Sequence, residues 1–520
     1  MTLPIIARSI ANHEPIYWVF SAQMNLFPEG IIYAFAASVT TSVRATLVFN
    51  AVLNIVLFYG LLRLLLRMAT SQSVERQRLL AVGGALALVG FSLLESYNPN
   101  QAMATYSLFS TYYFGLLVSG MSVLCLMLWQ YKCHQSCRAR STLLVSMSIV
   151  VVTALTVSSN PLYVPQFAAP IVLAIIVMFV LKLFDRVTSI WMVCTQALGI
   201  LIGLGLHQIL SSFLGQTLGS HSSGFAGATH PVDALFYALG AIAPPNPQQG
   251  TVLRIVLSVL IYFSCLLYVL FRLNSRLKSD TGRYNPSSYL VLIFVAIEPI
   301  VLILLTAAIG GAQNRYLSMP IFISIIGMVI ILGEITTVKL WRAVCRLVTL
   351  VVVCVILAGV ISLPRISPLL STDYPDGECL AAALDYRPAN GISGYWTARA
   401  LDIYGQQNIR VLQTSGYSPF AWLNNLATYQ NKTYSFVVIP RDVMMPMSAS
   451  LDQFRDLGQP SKFSRCPTVD VYQYMPGTVG YSRLNYCLQQ ALSEELVARK
   501  QGTIASLSRS AFIGETAQCR

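Results

Sequence analysis

The residues most able to do chemistry are ionisable groups set inside or beside long apolar runs. Such groups are costly in a membrane and are functional candidates by default, although those near helix ends reach water cheaply. Glu298 lies in mid-run beside Pro299, a pairing that marks a kink facing a cavity. Glu95, in Leu94-Glu95-Ser96-Tyr97, and His207 lie near run ends, where they could bind substrate or merely be solvated. Glu334 ends a run close to Lys339 and reads as an interface residue. Arg315, in Gly310-Gly311-Ala312-Gln313-Asn314-Arg315-Tyr316, is a guanidinium in a short loop; it could grip a phosphate bidentately or anchor on lipid headgroups. Glu14 and Glu29 occupy an aromatic N-terminal stretch, and either could be a base. His221, His230 and Asp233 share a long loop, but their spacing matches no compact metal pattern, so no metal is expected and the loop reads as a substrate lid.

Composition sets the solvent for these groups. Hydrophobic residues make up 55% of the 520, charged residues 11%, and mean hydropathy is +0.62. Soluble domains carry about 25% charged residues, so a soluble chain is excluded. The net charge of +13 does not indicate nucleic acid, because Lys and Arg sit in short loops between apolar segments. Ten stretches approach the roughly 20 residues that span a bilayer: near 45–66, 79–96, 108–130, 142–158, 165–182, 188–210, 252–271, 288–309, 317–335 and 345–363.

Alternate loops differ sharply in positive charge. One set holds Arg67, Arg76 and Arg78, then Lys132, Arg138 and Arg140, Lys182 and Arg186, Arg272, Arg276, Lys278 and Arg283, and Lys339 and Arg342. These are assigned to the cytoplasm. The opposite loops, near 97–107, 159–164, 211–251 and 310–316, contain only Arg315 and are assigned outward. Glu95, His207 and Arg315 then face the outer surface. An even number of spans puts residues 1–44 and 365–520 on that same side. A chain starting outside without a signal peptide implies a first helix upstream of residue 1, the favoured expectation, or a stretch Ile31 to Thr40 that enters the membrane without crossing.

Four regions are expected: an outward segment over 1–44, a multi-helix transmembrane domain over 45–363, a small extracytoplasmic α/β domain over 365–480 and a polar tail over 481–520. In the α/β domain, strands are predicted at Ile409 to Gln413, Ser435 to Ile439 and Val469 to Tyr474. Helices are predicted at Cys379 to Tyr386, Tyr395 to Tyr404, Pro419 to Tyr429 and Leu451 to Leu457, and the alternation suggests a few-stranded parallel sheet. Cys379 and Cys466 bracket this domain on the oxidising side and are candidates for a disulfide.

The pattern resembles the GT-C superfamily of membrane glycosyltransferases, in bacterial members of which a multi-helix body carries a C-terminal extracytoplasmic domain. The resemblance rests on the Arg315-Tyr316 step into a Pro-containing span, the long loop before the seventh span, and the Gly394-Tyr395-Trp396 and Trp422-Leu423-Asn424-Asn425 segments. It implies transfer of a sugar from a polyprenyl-phosphate-linked donor to an envelope glycan, lipid or protein, in a bacterial inner membrane. Arg315 with Tyr316 would hold the lipid phosphate. Family members place a catalytic acid in the first outward loop after a first transmembrane helix. That helix has no recognisable counterpart here, and Glu14 and Glu29 are the acids in the region. The resemblance names no cofactor. Membrane lipids are the other expected partners. A transporter or lipid-handling protein, with Glu298, Glu95 and His207 along a path, is the competing reading, and a non-catalytic partner in polysaccharide assembly is a third.

Overall fold

The computed structural model describes residues 2–21, 23–95, 103–110, 113–136, 139–214, 249–278, 285–309, 319–334, 338–370, 374–406, 408–441, 447–499 and 519. Its elements fall into two compact units. One gathers Met1–Ser21 with Pro368–Arg520 and the short stretch Ser211–Thr217; the other holds Ala22–Leu210 and Leu218–Ser367.

In chain order the helices are α1 (Thr2–Ala11), α2 (Glu29–Ser38), α3 (Val43–Ala69), α4 (Val74–Glu95), α5 (Met103–Ser110), α6 (Phe114–Gln135), α7 (Ala139–Ser159), α8 (Ala169–Val180, preceded by a π turn at Val164–Ala168), α9 (Arg186–Leu214), α10 (Gln249–Lys278), α11 (Pro286–Ile309), α12 (Met319–Gly333) and α13 (Val338–Leu370). Among the described residues seven helices are long and apolar enough to cross a membrane: α3, α4, α6, α7, α9, α10 and α11. The remaining expected spans correspond to the shorter Val164–Val180 and α12 and to the 33-residue α13. The chain is an integral membrane protein. Side chains such as Val56, Leu201, Leu260, Leu267, Leu304 and Leu357 project outward, a surface that only hydrocarbon suits. A helix satisfies its own backbone polar groups, which is what allows these apolar segments to lie in hydrocarbon.

Inside the bundle, close approach rests on small residues and aromatic stacking. Phe114 meets Phe58 and Phe322 edge-on, with centroids 6.5 and 6.0 Å apart. Tyr163, Phe167 and Phe294 stack at 5.9 and 6.0 Å. A side chain at Gly120 would overlap Phe167, so that helix crossing requires glycine.

The other unit is a sheet with helices on both faces. After α14 (Pro375–Ala383) come β2 (Ala389–Ser393), α15 (Tyr395–Tyr404), β3 (Ile409–Ser415), β4 (Ser418–Pro419), β5 (Asn424–Asn425), β6 (Phe436–Pro440), β7 (Lys462–Arg465), β8 (Val469–Gln473) and α16 (Val479–Ala498); β1 is the N-terminal pair Trp18–Val19. The strand order is β4-β3-β2-β6-β8-β7. β2 is parallel to β3 and β6, whereas β4 pairs antiparallel with β3, β8 with β6 and β7 with β8, so the sheet is mixed rather than parallel. Alternation splits its residues between two cores. Val411, Phe436, Val438 and Val471 pack with Leu380, Ala398 and Leu401 from α14 and α15. Leu412, Val437 and Ile439 pack with Leu484, Leu488, Leu492 and Leu496 of α16.

Two expectations are corrected here. Residues 481–498 are not a separate tail, because leucines at four-residue spacing bury one face of α16 in this core. The helix expected over Pro419 to Tyr429 is instead two short strands and a 3-10 turn at Leu426–Tyr429. Asn425 turns the backbone there, its Oδ1 accepting from the Ala427 amide at 3.2 Å. Disulfides join Cys379 to Cys466 and Cys487 to Cys519.

The N-terminal segment divides differently from the expected 1–44 boundary. Residues 2–21 belong to the sheet unit: β1 pairs antiparallel with β5, Val19 is fully buried in the core, and Arg8 ion-pairs with Asp402. Residues 23–44 belong to the bundle. Within the stretch Ile31 to Thr40 the chain is helical as far as Ser38, and the ten-residue α2 is too short to cross a bilayer that needs about 20 residues.

Because residues 2–21 and 374–499 form one folded unit, the intervening chain must cross a membrane an even number of times. Seven candidate spans is odd, and among the described residues Val164–Val180, α12 and α13 are the further apolar helices that could make the number even. The exposed positions Ile10 and Val479 should therefore label from one side of intact membranes when replaced by Cys, and exposed Ser73 from the other, with a membrane-impermeant thiol reagent. Labelling of Ile10→Cys and Val479→Cys from opposite sides would rule out the shared unit.

Candidate functional site

The chain entering α2 is pinned at the end of the bundle that charge bias assigns outward. The Met24 amide donates to the Ser159 carbonyl at 2.8 Å, and the Leu26 and Phe27 amides donate to Ser159 Oγ at 2.7 and 2.9 Å. Asn160 donates to Asn25 Oδ1 at 3.2 Å, and the Tyr113 hydroxyl donates to Gln23 Oε1 at 2.9 Å. These contacts fix where α2 starts, and its first residue is Glu29.

Glu29 is wholly buried, and neither carboxylate oxygen has a hydrogen-bond partner. A Cβ at Gly115 would overlap this carboxyl, so the glycine at the start of α6 makes room for it. Burial pushes the Glu29 carboxyl up to about 8. Opposite α2, Phe35 packs on Phe49 and Thr40 bonds Thr46 at 2.7 Å, so α2 runs back along α3. Glu29 is then level with the turn that carries Asn54, one turn from Asn50. Both asparagines are fully buried; Asn50 has no bond to either side-chain atom, and Asn54 donates to the Leu108 carbonyl at 2.8 Å while its Oδ1 stays unbonded. An acid and two amides with unfilled hydrogen-bonding capacity thus share one region of helix packing, where a carboxylate could take a proton from a bound hydroxyl.

Glu95 is equally buried but committed. Its Oε2 accepts from the Ala104 and Thr105 amides at 2.6 and 3.2 Å, capping α5, and its Oε1 lies 2.8 Å from Arg254 Nε. Arg254 was not foreseen as an outward cation; it stands near the start of α10, three residues past the loop boundary, and counting loop residues alone passes over it. Asn50 and Asn54 were missed too, although asparagines four residues apart in an apolar run are the available signal. His207 Nδ1 lies 2.9 Å from the Ser158 carbonyl, which ties α9 to the end of α7.

Glu298 is buried in α11 without a partner for either oxygen. Glu334 pairs with Arg272 and accepts from the Tyr268 hydroxyl at 3.0 Å, at the end assigned to the cytoplasm. Glu14 lies in the sheet unit, 3.9 Å from Arg410, and so is not in the bundle with Glu29. Arg315, Tyr316, His221, His230 and Asp233 lie outside the described residues. Among the described residues no group of three or more His, Cys, Asp or Glu converges as a metal site.

Two outcomes follow. Replacing Glu95 by Gln leaves the Arg254 cation buried without its counter-ion and should cost about 3–5 kcal/mol in a chemical-denaturation series, with the Glu95→Gln/Arg254→Leu pair recovering most of it. Glu29, raised from 4.5 to about 8, favours the fold while protonated; that contribution is complete below its ordinary value and is lost as pH rises through about 8. The wild-type Tm should fall across that window, and Glu29→Gln should flatten the fall. A scan of family models and searches of curated proteins and of solved structures return no match to this chain, so its function is read from the arrangement of these residues.

Proposed function

We propose that this protein is a GT-C-type membrane glycosyltransferase that moves a sugar from a polyprenyl-phosphate-linked donor to a hydroxyl acceptor on the outer face of a bacterial inner membrane, with Glu29 as the base. The observation that carries this reading is a buried, unbonded carboxylate in the first segment of the bundle, at the end that charge bias assigns outward. Other acids at that end are engaged: Glu95 holds Arg254 and caps α5. Glu14, the alternative base, faces Arg410 in the sheet unit. Of the two acids, Glu29 is the one left free to act.

In this reading the acceptor oxygen attacks the anomeric carbon as its proton passes to Glu29. The bond from that carbon to the phosphate oxygen breaks, and polyprenyl phosphate leaves with the electron pair. Arg315 would meet the charge that builds on the departing phosphate, as a fixed cation does most effectively where water is excluded. Asn50 and Asn54 would offer hydrogen bonds to sugar or acceptor hydroxyls.

The competing transporter reading draws on Glu298, the other buried acid without a partner. Transfer assays separate the two. With a polyprenyl-phosphate sugar donor, Glu29→Gln should lower kcat about 10²- to 10⁴-fold, the range of a positioned general base. Glu14→Gln should leave kcat near the wild-type value, and Arg315→Ala should weaken donor binding. The base works as carboxylate, so the rate should climb with pH through about 8. Full transfer by Glu29→Gln would remove the base assignment, and no transfer by wild type would favour transport.

A further inference from the structure

Glu298 sits midway along α11, fully buried, with neither oxygen bonded. Pro299 follows it and cannot donate a backbone N–H, which leaves the Val295 carbonyl without its helical partner. On the neighbouring α10, Tyr262 is within electrostatic reach of Glu298 and donates its hydroxyl to the Ala296 carbonyl at 2.8 Å. Ser258, one turn away, has a buried and unbonded hydroxyl. Arg254, a further turn on, holds Glu95 at 2.8 Å. Steps of four residues put Arg254, Ser258 and Tyr262 on one face of α10, rising about 6 Å per step. That stripe leads from the mid-bundle acid to the end assigned outward.

Among the described residues, the surroundings supply Glu298 with no fixed counter-charge. The π turn, α8 and α12, all packed near α11, contain no acid, base, tyrosine or cysteine. α10 adds Cys265, whose sulfur lies with Val295 at the notch left by Gly327. α3 carries Arg44, Tyr59, Arg63 and Arg67, and none is bonded to Glu298. α11 itself contributes Tyr289, more than two turns away. A permanent carboxylate would be an uncompensated charge in a low-dielectric setting. A permanently apolar site, on the other hand, would have no use for the acid, the freed carbonyl and the two hydroxyls aligned beside it.

We propose that Glu298 is a reversible proton-binding site, loaded and emptied from the end assigned outward along Tyr262 and Ser258. Loading moves one proton from water to a carboxylate oxygen, and emptying returns it to water; no electrons move. Hydroxyls both donate and accept, so Tyr262 and Ser258 can pass a proton by switching partners, and the 6 Å steps leave room for a bridging water between them. The charge of the α10–α11 face then follows the pH of the outward compartment. Glu298, Tyr262 and Ser258 are not among the residues assigned to sugar transfer, and the inference does not depend on that assignment.

The test is pH-difference infrared spectroscopy of the full chain in lipid bilayers, following the carbonyl stretch of protonated carboxylic acids. The wild type should show a band that fades as pH is raised from mildly acidic to mildly alkaline, that is lost in Glu298→Gln and that persists in Glu29→Gln. Glu298→Asp should keep a band at a shifted position, and Tyr262→Phe should move its midpoint. A pH-dependent spectrum identical in wild type and Glu298→Gln overturns the proposal, as does a Glu298 band that never changes with pH. Loss of the band on adding sodium at fixed pH would assign the site to a metal cation instead of a proton. An unchanged midpoint in Tyr262→Phe would reject the α10 route.

Discussion

The cost of burying an unpaired polar group in a medium without water governs this bundle, and each of its acids responds differently. Glu334 answers it with Arg272 and Tyr268. Glu95 answers it with a cation from another helix and two backbone amides at the start of α5, so one carboxylate settles an ion pair and a helix cap together. A buried pair of this kind is a weak source of net stability but a strong constraint, since removing either member strands the other. α4, α5 and α10 are therefore held in one arrangement at that end of the bundle. His207 performs a similar service between α9 and α7 with a single bond to a carbonyl.

Pairing also organises the sheet unit. Asp402 receives Arg8 from the N-terminal helix and Arg410 from β3, and Arg410 reaches Glu14 at 3.9 Å. Arg399, buried against the Tyr395 ring, bonds Gln413 at 2.9 Å and Thr2 at 3.2 Å. Asn425 donates to Ser9 at 2.8 Å and to the Pro15 carbonyl at 3.0 Å, while its backbone pairs with Trp18. The first twenty-one residues are thus a structural part of a domain encoded more than 350 positions later. Local pattern could not reveal this, because β1 is only two residues long and its partner β5 carries asparagines rather than the β-branched residues that signal a strand.

What was legible in the sequence follows from the range of the forces involved. Long apolar helices announce themselves through composition alone, and the helix Tyr395–Tyr404 through its spacing and the Gly394 that precedes it. Strands β3, β6 and β8 were readable as β-rich runs. β2, with Ala-Asn-Gly at its start, was not, since Gly391 is there to clear the Phe436 ring and not to favour a strand. At the site, the ionisable candidates could be listed from sequence because charges in apolar runs are rare. Which of them were already paired could not, since Arg254 lies about 160 positions from Glu95.

That distinction between engaged and unengaged acids is the most informative result of placing them in three dimensions. A carboxylate that completes a network is explained by the fold and would be missed by it if removed. Glu29 and Glu298 complete nothing in their surroundings: each is fully buried and each lacks a bond to either oxygen, Glu29 in space left by Gly115 and Glu298 beside the helix-interrupting Pro299. Folding alone would favour a leucine or a methionine at both positions, since apolar residues of similar volume do better than unpaired polar groups in a core. A buried acid without a partner is a candidate for gaining and losing a proton, and the two positions differ in what surrounds them. Glu29 lies level with the turn of α3 that carries Asn54, at the end that charge bias assigns outward, whereas Glu298 lies midway along α11, where Tyr262 of α10 bonds the neighbouring Ala296 carbonyl and the Ser258 hydroxyl is unbonded one turn on.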